Sequence, residues 1–264
     1  MAAHAFDLVI RNGNIADGSG NDLFEGDIAI VGGKIAALGA FSGSGTEEID
    51  ARGKLVTPGF VDVHTHYDGQ VTWGQDLSPS SQNGVTTAVM GNCGVGFAPC
   101  RAEDHDRLIR LMEGVEDIPE PVLSAGLPWT WETFPEYLDW LSGRHYDVDF
   151  AAQLPHAAVR VFVMGERGAN REPATADDIA RMSAITTDAM RSGALGFTTS
   201  RTINHRTSDG DFTPTLRAGE DELLAITAAM RATGNGVLQF VLDRETIKAD
   251  LPMLLRIGKT NGCP

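Results

Sequence analysis

Val56-Thr57-Pro58-Gly59-Phe60-Val61-Asp62-Val63-His64-Thr65-His66-Tyr67-Asp68 is an apolar run of β type that ends in two histidines one residue apart. Residues two apart on a strand share a face, so the spacing predicts that the imidazoles of His64 and His66 meet at one place. Neutral imidazole is a common ligand for zinc and related divalent ions. The end of a strand also leaves coordination positions open to water and substrate. Two ordinary histidines closing a strand are the plainer reading, against which the Pro58-Gly59-Phe60 lead-in and the trailing Asp68 weigh.

The chain changes character on the two sides of this stretch. Between Phe6 and Val56, short β-type runs alternate with turn residues such as Asn12-Gly13-Asn14, Asp17-Gly18-Ser19-Gly20 and Gly32-Gly33, which predicts a small β-layer over 1–56. Beyond Pro58, β-type runs alternate with helical segments, the pattern of β-α units and a parallel sheet. The strand candidates are Phe60 to His66, Thr86 to Cys93, Asp149 to His156, Ala194 to Ser200 and Gly236 to Leu242. Thr175-Ala176-Asp177-Asp178 resembles a capping box opening a helix through Met190, and Gly193 stops it. A second helix runs from about Ala218 to Thr233, and a third covers Leu251 to Arg256. The segment 113–144, rich in Pro, Trp and acidic residues, is long enough to be an insertion over an active-site mouth, with a packed surface excursion as the equal alternative.

Composition narrows the function. A chain of 264 residues, 42% hydrophobic, can bury a sizeable core. Lys and Arg number 21 against 36 Asp and Glu, for a formal charge of -15, which argues against nucleic acid as a partner. The N-terminus has no basic segment followed by an apolar stretch, and no apolar run approaches membrane-spanning length, so a cytoplasmic protein with no membrane partner is expected. Cys93, Cys100 and Cys263 cannot all pair within one chain, so at least one is free.

Taken together, Pro58-Gly59-Phe60-Val61-Asp62-Val63-His64-Thr65-His66 after a small β-layer resembles the amidohydrolase superfamily of metal-dependent hydrolases. Tyr67-Asp68-Gly69-Gln70, Gly84-Val85-Thr86-Thr87, Gly91-Asn92-Cys93-Gly94, Glu113-Gly114-Val115-Glu116-Asp117-Ile118-Pro119 and Gly193-Ala194-Leu195-Gly196-Phe197 resemble its D-aminoacylase group, the N-acyl-D-amino-acid deacylases. The resemblance implies an α/β fold, a TIM-type β/α barrel over 57–264 with its site at the C-terminal ends of the strands. It also implies zinc, as one or two divalent ions, and a small-molecule amide as substrate. His64, His66 and Cys93 would be metal ligands, Cys93 standing where other superfamily members use a carboxylated lysine; the residue-level alternative for Cys93 is an inert buried thiol. His156, Arg201 and His205 follow later strands and are candidates for binding substrate, His156 through the surroundings of the metal and Arg201 through a substrate carboxylate. Structural roles are the alternative for each.

Two departures from the family stand out. Five strand candidates make an incomplete barrel, so the general base, an eighth-strand aspartate in the family, is expected beyond residue 264. The fifth-strand metal histidine of the group is also absent, Gln239 or Phe240 taking its position, and no histidine follows His205. The expected partners are therefore the substrate and either a complementary C-terminal half or a second copy. Alternatives are a hydantoinase-like cyclic amidase, disfavoured by Cys93 and by the lack of a fourth-strand lysine, or a non-catalytic chain pairing through its open barrel edge.

Overall fold

The computed structural model describes residues 5–264, and the chain divides after Phe60 into two compact units. In the first unit, β1 (Phe6–Ile15) is the central strand. It pairs antiparallel with β2 (Phe24–Val31), which pairs antiparallel with β3 (Lys34–Gly39). β4 (Gly45–Asp50) and β5 (Leu55–Val56) both run parallel to β1. Gly32 and Gly33, at φ +57° and +74°, make the two-residue turn between β2 and β3, a conformation that residues with a Cβ avoid. The register of β1 slips between Ile10 and Gly13. There Asn12 takes φ +58° and its N–H donates to the Asp27 carboxylate at 2.8 Å. The sheet buries Val9, Ile15, Ile28 and Ala29; Val9 and its cross-strand partner Ala29 share a face, and Ile28, paired with Ile10, points to the other.

The second unit opens within β6 (Phe60–Asp62), whose first residue ends the first unit, and continues through a single helical turn, α1 (Gln70–Trp73), and β7 (Val85–Met90). Helices α2 (His105–Glu116), α3 (Glu120–Gly126) and α4 (Phe134–Ser142) lead to β8 (Asp149–Ala152) and β9 (Leu154–Pro155). Then come α5 (His156–Met164), α6 (Glu166–Ala169), α7 (Ala176–Arg191), β10 (Gly196–Ser200), α8 (Glu220–Ala232), β11 (Val237–Val241) and α9 (Ile247–Asn261). The strands pair in chain order, β6-β7-β8 in one sheet and β9-β10-β11 in the other. β7 with β8, β9 with β10, and β10 with β11 are parallel. Only Gln153 separates β8 from β9. Its N–H donates to Met90 O at 2.9 Å, and Leu195 N–H donates to Ala152 O at 2.9 Å, so backbone pairing continues past the break. This is an α/β unit of parallel strands with intervening helices. Among the described residues the sheets do not close into a barrel.

Local sequence explains the element ends. Thr175 caps α7 and Asp178 reaches back to it, the reciprocal box expected from the sequence, and Thr133 with Glu136 makes a second box at α4. The predicted strands are longer than the observed ones. β6 stops at Asp62, so His64 and His66 lie beyond the strand, and β7 stops at Met90, with Cys93 in a 3-10 turn over Asn92–Gly94. His156 is the first residue of a helix rather than the last of a strand. The segment 113–144 folds as the end of α2, α3 and α4, and its Trp131, Phe134, Tyr137 and Leu141 belong to the main core. Among the described residues no helix is long and apolar enough to cross a membrane.

Candidate metal centre

The site begins with a buried threonine. Thr65 lies between the two histidines, and both its N–H and its hydroxyl donate to Val89 O of β7, at 2.9 and 2.8 Å. Thr65 is thereby fastened inward, while the imidazoles on either side come together with ring centroids 5.4 Å apart. Hydrogen bonding to the neighbouring strand, beyond the end of β6, does what the predicted strand period was expected to do.

Cys93 is presented by a turn that the glycines at 91 and 94 allow. Gly91, Cys93 and Gly94 all have positive φ, at +79°, +56° and +73°. A Cβ on Gly91 would lie 2.1 Å from Gln153 O. The Asn92 side chain is fully buried and donates to Thr65 O at 2.9 Å and Val89 O at 2.8 Å, tying the cysteine turn to the histidine segment. Gly94 N–H donates to the Thr198 hydroxyl of β10 at 3.1 Å.

These constraints bring one group of three potential ligands together among the described residues: donor atoms of His64, His66 and Cys93 all lie within 4.8 Å of one another. His64 Nε2 is 3.2 Å from Cys93 Sγ, and His66 Nε2 is 3.1 Å from Glu116 Oε1, the last residue of α2. The direction of the hydrogen bonds follows from Asn92. Its amide nitrogen is spent on two carbonyls, so its Oδ1 accepts, from Gln153 Nε2 at 3.0 Å and from Gln239 Nε2 at 2.7 Å. Gln239 Oε1 then accepts from Cys93 N–H at 3.1 Å, and the second amide hydrogen faces His64 Nδ1 at 3.3 Å. In the metal-free state His64 therefore keeps its proton on Nε2, facing sulfur, while the Cys93 thiol donates to Glu116; a cation held at Nε2 would need that proton on Nδ1 and the Gln239 amide turned to receive it.

Electrostatics describe a site short of positive charge. Burial, then Glu116 and Asp68, push the Cys93 thiol up to about 12. Burial, then Asp117, push the Glu116 carboxyl up to about 7. Burial, then the neighbouring His64 and His205, press His66 down to about 4, and its buried Nδ1 has no hydrogen-bond partner. A divalent cation would reverse the first two of these shifts by favouring thiolate and carboxylate, and would find His66 already in the neutral form that it needs. The two imidazoles, one of them with its Nδ1 unpartnered, and the thiol thus form a donor set of the mixed nitrogen and sulfur kind that zinc takes.

Behind the cluster, Asp68 is 3% exposed, its Oδ2 lacks a partner, and burial raises it to about 7. A carboxyl raised on folding contributes stability that is complete below its unfolded value of about 3.8 and lost as pH climbs through about 7. Asp68→Asn should therefore gain on the parent by about 4 kcal/mol as pH rises over that window. Urea denaturation of both metal-stripped proteins across the window measures it, and a pH-independent difference would discard the burial account.

The other candidates part company. His205 stands close enough to His66 and His64 to act on them electrostatically, and Ser200 Oγ meets its Nδ1 at 2.8 Å. Its loop is clamped by Asp243 beyond β11, which accepts from Ile203 N–H at 2.9 Å and from Thr202. Arg201 turns away to Asp250 of α9, at 3.2 Å. His156 is fully buried outside the cluster, Nδ1 against Thr199 Oγ1 at 2.8 Å and Nε2 against Glu222 at 2.7 Å. Sequence reasoning missed the proximity of Glu116, although Glu116 lies in one of the stretches carrying the resemblance. It placed Gln239 by position without the bonds that define it.

The sequence profile of the amidohydrolase family matches residues 47–264. D-aminoacylase of Alcaligenes xylosoxydans xylosoxydans is 31% identical over 261 residues, 98% of this chain and 49% of that enzyme. A solved D-aminoacylase, described by its binuclear metal centre with one-metal activation and second-metal attenuation, superposes with TM-score 0.79 at 31% identity, over 98% of this chain and 50% of its own. N-acyl-D-glutamate deacylase from Bordetella bronchiseptica, solved with zinc and a phosphonate mimic of the tetrahedral intermediate, gives TM-score 0.75 at 27% identity, over 98% of this chain and 50% of its own. The chain spans about half the length of the curated relatives it matches.

Proposed function

Because the chain belongs to the amidohydrolase family, we propose that it carries the metal-holding part of a hydrolase that splits a linear amide, an N-acyl-D-amino acid, into carboxylate and amine. The observation that carries this reading is the convergence of His64, His66 and Cys93 just past the ends of β6 and β7. Zinc, as one or two divalent ions, would supply a polarised amide carbonyl and a bound water whose pKa falls toward neutrality. Cys93 brings negative charge, the histidines bring neutral nitrogen, and Gln239 holds both His64 and the backbone of residue 93 in position. We assign substrate contact to His205, whose ring Ser200 orients. Arg201 and His156, tied instead to Asp250 and Glu222, would support that contact only indirectly, by fixing the segments around β10.

In this reading the sheets are an incomplete TIM-type barrel. Phe60, Val61 and Val63, 64%, 57% and 66% exposed, and Val237, 42% exposed, lie on or beside its two outer strands. A complementary C-terminal half covers those edges and brings the general base, a second copy being the alternative partner. The test is release of free amine from N-acyl-D-amino acids, their L-enantiomers and hydantoins, with zinc, by the chain alone and with a complementary half. Zinc binding by the chain alone, with turnover of the D-substrates only once the half is added, is expected. Turnover confined to hydantoins would move the assignment to a cyclic amidase. Turnover by a monodisperse monomer in sedimentation would overturn the incomplete-barrel account.

A further inference from the structure

Glu116 is an expensive carboxylate where it stands. It is the last residue of α2, where the helix dipole presents its negative end, and Asp117 follows it in the left-handed conformation at φ +54°. Its side chain is only 19% exposed, yet among the described residues it forms an ion pair with no lysine or arginine. Its partners are His66 Nε2, at 3.1 Å, and the Cys93 thiol. A half-buried carboxylate set against a helix C-terminus, with another carboxylate beside it, is stable only if something positive comes to it.

We propose that Glu116 is the fourth protein donor of the metal centre, so that His64, His66, Cys93 and Glu116 bind one divalent cation within this chain. This rests on the metal-centre reading above and adds a ligand to it. Charge favours the set: a thiolate and a carboxylate cancel a divalent cation, whereas the three-residue group would leave a net positive charge in a partly desolvated place. Spacing favours it at two of the donor pairs, although Glu116 stands outside the group whose donor atoms all lie within 4.8 Å of one another. With zinc–nitrogen and zinc–oxygen bonds of about 2.0–2.1 Å and a zinc–sulfur bond of about 2.3 Å, the edges of a tetrahedron are about 3.3–3.5 Å. The contacts His66 to Glu116 at 3.1 Å and His64 to Cys93 at 3.2 Å are already near that length. The carboxylate also fits the departure at β11, where Gln239 spends its amide on Asn92, Cys93 and His64 and adds no charge to the centre. On binding, the thiol proton would leave to solvent, the His64 proton would pass from Nε2 to Nδ1, and the carboxylate would exchange its hydrogen bond to sulfur for the cation.

Zinc affinity of the purified chain, measured by competition with a chromophoric chelator at pH 7.5, tests the proposal. The parent should bind one zinc, and Glu116→Gln should weaken binding more than about 100-fold, beyond the loss typical of a merely supporting residue. Glu113→Gln, on the same helix, should leave affinity unchanged. A parent that binds and a glutamine variant that binds equally well would overturn the proposal and leave the three-residue centre intact. A parent that binds no zinc would overturn the metal centre itself. An infrared difference spectrum, zinc-loaded minus metal-free parent, decides the assignment even if Glu116→Gln does not fold. A shifted carboxylate band supports it and the absence of one rejects it.

Discussion

Cys93→Ala should leave a folded chain that no longer retains zinc. In the proposed centre the sulfur would be the anionic donor on the β7 side, and soft thiolate would account for much of its preference for zinc over harder ions. Without it, two neutral imidazoles remain on the β6 side, and affinity should fall by well over about 100-fold. The fold should survive because the turn does not depend on the side chain. Its backbone N–H keeps the bond to Gln239, Asn92 keeps its two carbonyls, and alanine tolerates φ +56° as well as cysteine does. Losing one buried sulfur should cost about 1 kcal/mol. Elemental analysis of the dialysed proteins, with thermal melting alongside, reads both effects. Equal zinc in parent and variant would make Cys93 a packing residue. Affinity in the parent should also rise with pH, since the cation competes with the proton on a thiol that burial holds up to about 12.

The parts of this architecture legible in the sequence are those fixed by local chemistry. Thr175 with Asp178, and Gly193 after α7, announce a helix and its end without help from tertiary structure. The run Val159-Arg160-Val161-Phe162-Val163 is instead rich in β-branched residues, yet it is helical as part of α5, because packing of Val159, Val161 and Val163 overrides propensity. The site divides in the same way. The spacing of His64 and His66 was readable, though the period of a strand is not what aligns them; the two bonds from Thr65 to Val89 do that. The glycines around Cys93 could be read as a tight turn, and the clash of a Cβ on Gly91 with Gln153 gives the physical cause. Glu116 and Gln239 could not be read as members of the site. Each reaches it through the packing of a separate element, α2 for one and β11 for the other, and no local pattern encodes that arrival.

Glu222→Ala should come close to unfolding the second unit. Glu222 and Arg160 are each 1% exposed and His156 is fully buried, so the three form a charged network closed to water. Burial alone would raise the Glu222 carboxyl, but the bonds from His156 at 2.7 Å and from Arg160 hold it below its ordinary range. Arg160 donates again to Glu172 O at 2.7 Å. Alanine at 222 leaves the guanidinium buried with no counter-charge and strands the His156 Nε2, a loss of about 3–5 kcal/mol. That is a large part of the roughly 5–15 kcal/mol by which a domain is stable. Arg160→Met combined with Glu222→Leu should cost less than the single change, since it removes the desolvated charges together and refills their volume. The effect should extend to the metal centre. His156 is bonded to Thr199 of β10, and the next residue along that strand, Thr198, holds Gly94 of the cysteine turn. Urea denaturation of parent, single and double variants decides between the two costs. A single variant within about 1 kcal/mol of the parent would mean that water or relaxation satisfies Arg160, and the network would lose its place as the clamp behind the site.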